Sequence, residues 1–165
     1  MIAKIMIDLL IDEGVDEEPL PSTTAVQQAV IAACRTAGLD ADEPQLCIRF
    51  AADAEVHALN ARWRNKDKVT DVLSFPQQEA PDFDATFPLG DIVLAMPFVI
   101  REAERLGLPA ADHILHLIVH GTLHLLGHDH IMDADAARMH PLERAIMREL
   151  GLHDPYPDEV NETDD

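Results

Sequence analysis

The run HLIVHGTLHLLGHDH, residues 116–130, constrains the chain more than any other segment. His120 and His124 are four residues apart. On a helix they stack on one face, and both rings can reach one ion. Gly127 follows three residues later, where a left-handed residue would end the helix. The chain can then reverse and bring His130 back to the same point. Three neutral imidazoles with one open position are the ligand set of a catalytic zinc, not of a closed structural one.

These offsets, glycine included, repeat those of the zinc-protease signature HExxHxxGxxH. Gly121 stands where such enzymes carry the glutamate that acts as general base. Glycine supplies no carboxylate, so the pattern points to a metal hydrolase and away from ordinary peptide hydrolysis. His113 and His116 fall roughly on the same helix face and are read as packed, with a supporting role toward the ligands open for His116. His128 is read as a loop surface residue, with a fourth metal contact or a substrate contact as alternatives. Asp129 can orient a ligand ring or cap locally.

Around this segment the periodicities alternate between strand and helix. Ile5, Ile7 and Leu9 form a period-two strand, followed by an acidic turn region from Asp12 to Pro21. Ser22 or Thr23 caps a helix with Val26, Ala29, Val30, Ala33 and Ala37 inward, stopped by Gly38. Leu46 to Phe50 is a strand, and Asp53 reads as the N-cap of a helix carrying Val56, Leu59, Asn60 and Trp63. Strands follow at Val72–Phe75 and Asp91–Met96, with a surface loop at 77–88 between them. Pro97 opens a helix to Leu106, and two more cover Ala111–Leu126 and Ala136–Leu150. Four strands and about five helices, unevenly interleaved, give one α+β domain with a small mixed sheet. That domain covers residues 1–155; residues 156–165 form an acidic tail expected to fray.

The surface charge is extreme. Twelve Lys and Arg stand against 31 Asp and Glu, a formal net charge of −19 over 165 residues. Such a field opposes broad adhesion to nucleic acid or an anionic membrane, but a local basic groove or a bound metal reverses it at one place. Arg62, Arg64, Lys66 and Lys68 make one such island. They are either an ordinary solvated run or a grip for an anion, with Arg64 able to hold phosphate bidentately. Trp63, at helical spacing from Leu59 and Val56, is expected in the core. Cys34 and Cys47 lack ligand spacing and read as reduced thiols. The first residues lack a signal-peptide pattern, and no run is long enough to span a membrane. A cytoplasmic location is the expectation.

Three ordered blocks resemble the YbeY family of bacterial endoribonucleases, also called rRNA maturation factors. HGTLHLLGHDH at 120–130 resembles that family's HGxLHLxGYDH motif. LNARWR at 59–64, followed by Asp67 and TDVLSFP at 70–76, resembles its LNxxYR…D…TDVLSFP block. LGDI at 89–92 matches a strand, and Met139, Glu143 and Leu150–Gly151 resemble its closing helix. His128 and Trp63 each stand where the family has tyrosine.

The resemblance implies a small zincin-like α+β domain with a four-stranded sheet. It implies one zinc per chain on His120, His124 and His130, and a functional arginine at Arg64. The implied work is cleavage of single-stranded RNA in ribosomal RNA processing, including the small-subunit RNA 3′ end, and in ribosome quality control. Its implied partners are ribosomal RNA and the small ribosomal subunit or its assembly proteins, with no membrane. Two other readings share the histidines. One is a metal hydrolase of a non-RNA substrate; the other is a ribosome-assembly protein that uses zinc structurally without catalysis.

Overall fold

Burial alternates in the first described strand as the period of two predicts: Ile7 is buried, Asp8 exposed and Leu9 half-buried, while Ile5 lies outside the described residues. The computed structural model describes residues 7–40, 43–79, 82–128 and 133–158. Strand β1 (Ile7–Ile11) pairs in parallel with β2 (Leu46–Ala51), Ile7 opposite Leu46. Parallel neighbours need a crossover, and helix α1 (Thr23–Thr36) supplies it. Ser22 caps α1, its Oγ accepting from the Ala25 amide at 3.1 Å. Val26, Ala29, Val30 and Ala33 are buried, as the spacing predicts.

Helix α2 (Asp53–Arg64) leads to β3 (Val72–Pro76), and a loop ordered by Gln78 leads to β4 (Gly90–Ala95). Strand β4 lies parallel to β2 and antiparallel to β3, giving a mixed sheet in the order β1-β2-β4-β3. Helices α3 (Met96–Leu106), α4 (Ala110–Leu125) and α5 (Asp133–Glu149) complete the fold. The sequence expectation of an α+β domain with four strands and five helices holds.

Alternation along β4 sorts the two faces of the sheet. Ile92 and Leu94 join the main core with α1, α4 and α5. Val93 joins a smaller cluster with Val56 of α2 and Leu73 of β3. Helix α4 is apolar nearly all round and packs against α1, α3, α5 and the sheet, so it runs through the centre of the domain. No helix among the described residues is long and apolar enough to cross a membrane.

Four details differ from the sequence reading. Asp53 is the first residue of α2 and not its cap, a place taken by Ala52. Its carboxylate instead accepts from the Phe98 amide at 3.0 Å and from Arg101 at 2.9 Å, capping the open N-terminal turn of α3. Helix α5 begins at Asp133, three residues before Ala136. Trp63 is 61% exposed, since α2 buries only Val56 and Asn60. Tyr156, assigned to the tail, is tied to the body: its hydroxyl donates to Glu143 and its carbonyl accepts from Arg144.

Candidate active site

Helix α4 carries His113, His116, His120 and His124 at spacings of three, four and four, which keeps them on one face. The Nε2 atoms of His120 and His124 lie 3.0 Å apart. Two zinc ligands at the usual Zn–N length of ~2.0–2.1 Å in a tetrahedral site would be separated by ~3.3 Å. The pair is close to that spacing, and at this distance one ring can also donate to the other. His120 Nδ1 lies 2.7 Å from Glu143 Oε1. A carboxylate only accepts, so Nδ1 carries the proton and Nε2 keeps its lone pair for a metal.

Glu143 is a wholly buried carboxylate with a crowded set of donors. His116 Nε2 is 3.0 Å from the same Oε1, and the Tyr156 hydroxyl donates to Oε2 at 2.7 Å. Burial pushes its pKa up, but the hydrogen bonds and charges of His116 and His120 outweigh that and hold it well below the usual glutamate range. Glu143 thus remains ionised and fixes the orientation of His120. His116, for which a supporting role was left open, is a second donor to the carboxylate that accepts from His120. His113 is buried against Glu102 at 2.6 Å, the packed histidine of the sequence reading.

Two glycines set the path of the ligand helix. A Cβ on Gly121 would come within 3.1 Å of Ile92 Cδ1, Ile92 Cγ2 and Ser74 Oγ. Ser74 Oγ also donates to the Gly121 carbonyl at 3.2 Å. The position that holds glutamate in the zinc proteases is here a close contact between helix and sheet, where any side chain would have to displace Ile92 and Ser74 by a few tenths of an ångström. Gly127 takes φ 92°, and the amides of Gly127 and His128 return to the carbonyls of His124 and Leu123. This is the left-handed stop that the spacing predicts. Asp129 and His130 lie outside the described residues. Among the described residues no group of three or more His, Cys, Asp or Glu converges on one metal position.

The separate basic segment arrives at the same place. Arg64, Lys66, Lys68, Asp71, His120 and His124 all line one cavity of about 180 Å³. Asn65 ends α2 in the left-handed region at φ 56°. The buried Asn60 then pins the following loop: its carbonyl accepts from the Lys66 amide and its Nδ2 donates to the Lys68 carbonyl at 2.9 Å. Spacing alone gives no such meeting, because it depends on β3 delivering the loop beside α4.

Asp71 and His120 also line a second, larger cavity of about 430 Å³, walled by Glu102, His113, His116 and Tyr156. Burial and then the nearby Glu102 raise the Asp71 carboxyl above the ordinary range, while its Oδ1 accepts from the Val72 amide at 2.7 Å.

A profile of the family described as Endoribonuclease YbeY matches residues 13–151. The chain belongs to the YbeY endoribonuclease family. A relative from Rhizorhabdus wittichii named Endoribonuclease YbeY is 49% identical over 141 residues, covering 78% of this chain and 83% of that protein. One of the same name from Rhodopseudomonas palustris is 46% identical over 138 residues, covering 81% and 82%. The solution structure of a Thermotoga maritima protein shares the fold, with a TM-score of 0.54 at 20% identity over 97% of this chain and 99% of that one. The YbeY resemblance in the three sequence blocks is thereby confirmed for the chain as a whole.

Sequence reasoning did not assign work to Glu143, Tyr156 or Asp71. For Glu143 a signal existed: it sits four residues after Met139 and three before Ile146, both buried. An acid on the apolar stripe of a helix demands a buried partner.

Proposed function

We propose that this chain is a zinc-dependent endoribonuclease that cuts single-stranded RNA during ribosomal RNA processing in the cytoplasm, including small-subunit RNA 3′-end maturation. Its partners are ribosomal RNA and the small subunit or its assembly proteins. The observation that carries the reading is the shared cavity, in which Arg64 faces the same space as His120 and His124. The family membership supplies the reaction class.

His120, His124 and His130 hold the zinc. The bound ion would polarise a phosphoryl oxygen and acidify water. Arg64 holds the scissile phosphate, and its guanidinium offsets charge that builds on the phosphoryl oxygens. Lys66 and Lys68 draw the polyanion toward a strongly acidic protein. Asp71 is the acid among the residues lining this cavity. With its pKa raised, it retains a proton to higher pH than an ordinary aspartate and can pass it to the departing oxygen. Glu143 and Tyr156 keep His120 in its ligating tautomer.

The test is single-turnover cleavage of a single-stranded RNA by zinc-loaded wild type, Arg64→Glu and His124→Ala. Arg64→Glu should keep zinc and fold and lose cleavage at saturating protein by ~100-fold or more, the scale of removing one transition-state donor. His124→Ala should lose zinc. Wild-type rates in Arg64→Glu at saturation would reduce Arg64 to a tether. Zinc-loaded protein that spares RNA but cuts a peptide would overturn the assignment.

A further inference from the structure

Trp63 is the only tryptophan of the chain, and its indole stands 61% exposed on the last turn of α2. The Arg62 guanidinium lies over it, 5.0 Å from the ring centroid. A single exposed apolar residue needs no explanation by itself. This one is set among Arg62, Arg64, Lys66 and Lys68, all exposed. Among the described residues, no carboxylate pairs with any of the four cations, whereas Arg35, Arg49, Arg101 and Arg144 are all engaged. Phe87, equally exposed at 61%, has Asp82 and Asp84 near it in sequence and no cation, whereas the acid within the Trp63 run, Asp67, is paired with His57 at 2.7 Å.

An unpaired basic run beside an open aromatic face is the combination that holds single-stranded nucleic acid: cations follow the phosphates, and the ring takes a base. A duplex hides its base faces and gains nothing from such a ring. Trp63 and Arg64 are consecutive, with Cα atoms ~3.8 Å apart, and Arg64 lines the histidine cavity.

We propose that Trp63 is a stacking platform for one unpaired RNA base, placed so that a phosphate adjoining that base falls to Arg64 at the mouth of the histidine cavity. The inference rests on the single-stranded RNA reading above and adds the feature that selects unpaired nucleotides. The base is recognised by its π face and not by its edge, so the site tolerates any of the four bases.

The test uses zinc-loaded full-length protein and a short 2′-O-methyl single strand, which prevents attack by a 2′-hydroxyl. Binding is followed by anisotropy of a label on the strand and by the emission of Trp63. Expected are quenching in step with the bound fraction, and little change with a duplex of the same sequence. Trp63→Ala should bind about five- to tenfold more weakly, and Trp63→Phe should keep most of the affinity. Trp63→Ala should leave the salt dependence of binding unchanged, whereas Arg64→Glu should flatten it. Binding without quenching, and with Trp63→Ala at wild-type affinity, would overturn the platform while leaving the nuclease reading intact. Quenching by the single strand without cleavage of the natural RNA would sink the nuclease reading and keep the platform. No binding of single strands at low salt would end both. Emission that responds to anionic vesicles and not to RNA would assign the ring to a membrane instead.

Discussion

Replacing Glu143 by Gln tests the buried carboxylate with minimal change of shape. The glutamine oxygen can still accept from His120, and its amide can still meet the Tyr156 hydroxyl. What disappears is the charge. Hydrogen bonds to charged groups contribute ~1.5–3 kcal/mol and neutral ones ~0.5–1.5, so the bond to His120 weakens by ~1–1.5 kcal/mol. No screening discount applies, because the Glu143 side chain is 0% exposed. All of that difference acts on the basicity and aim of a proposed zinc ligand. Zinc affinity should therefore fall about tenfold, at the lower end of the effects found for groups that orient metal ligands. The metal-free fold should change far less, since loss of the weakened bonds is offset by removing the desolvation cost of a buried ion. Chelator competition gives the affinity, and thermal unfolding of metal-free protein gives the stability. Wild-type zinc affinity in Glu143→Gln would refute the idea that this carboxylate steers His120. Equal losses in zinc affinity and metal-free stability would make Glu143 a general structural anchor.

Gly121→Glu, which restores the zinc-protease glutamate in sequence, should destabilise the fold and create no peptidase, because a Cβ would press on Ile92 and Ser74 at 3.1 Å and the carboxylate beyond it would enter a buried contact; thermal unfolding and a peptide-cleavage assay will tell. Leu126→Asp places a carboxylate at a site only 6% exposed and should cost several kcal/mol, on the order of the unpaired-group penalty, read by denaturant unfolding. Thiol titration should find Cys47 slow and Cys34 silent until unfolding, since burial and the nearby Asp91 and Asp8 raise the half-buried Cys47 thiol and burial pushes the Cys34 thiol up to about 12. In metal-free protein the Glu143 carboxyl is depressed on folding, so its stabilisation is full above the ordinary value of 4.5 and declines as the pH falls below it. Glu143→Gln should flatten that acid limb of the stability curve.

Elements with strong local signals were legible. Ser22 capped α1, Pro97 opened α3, and Gly107 and Gly127 stopped their helices, because each acts through backbone geometry within a few residues. The line of histidines was legible for the same reason. What stayed hidden depends on tertiary placement. Asp53 looked like a cap for its own helix and serves another 45 residues away. Trp63 has the spacing of a core residue, but the face of α2 that meets the body is set by Val56 and Asn60. The meeting of Arg64 with His120 required the sheet order, which no local period encodes.

The tie between Tyr156 and Glu143 has a consequence for when the protein becomes active. The candidate site draws in chain order on Arg64, then on histidines 120 and 124, and then on residues 143 and 156. During synthesis, domains fold as their chain emerges, beginning from the N-terminus. A nascent chain that has exposed its basic segment still lacks the carboxylate and hydroxyl that set the ligand ring. The ring that Glu143 orients is therefore set only once residue 156 has been made and docked, later than the basic segment that lines the same cavity.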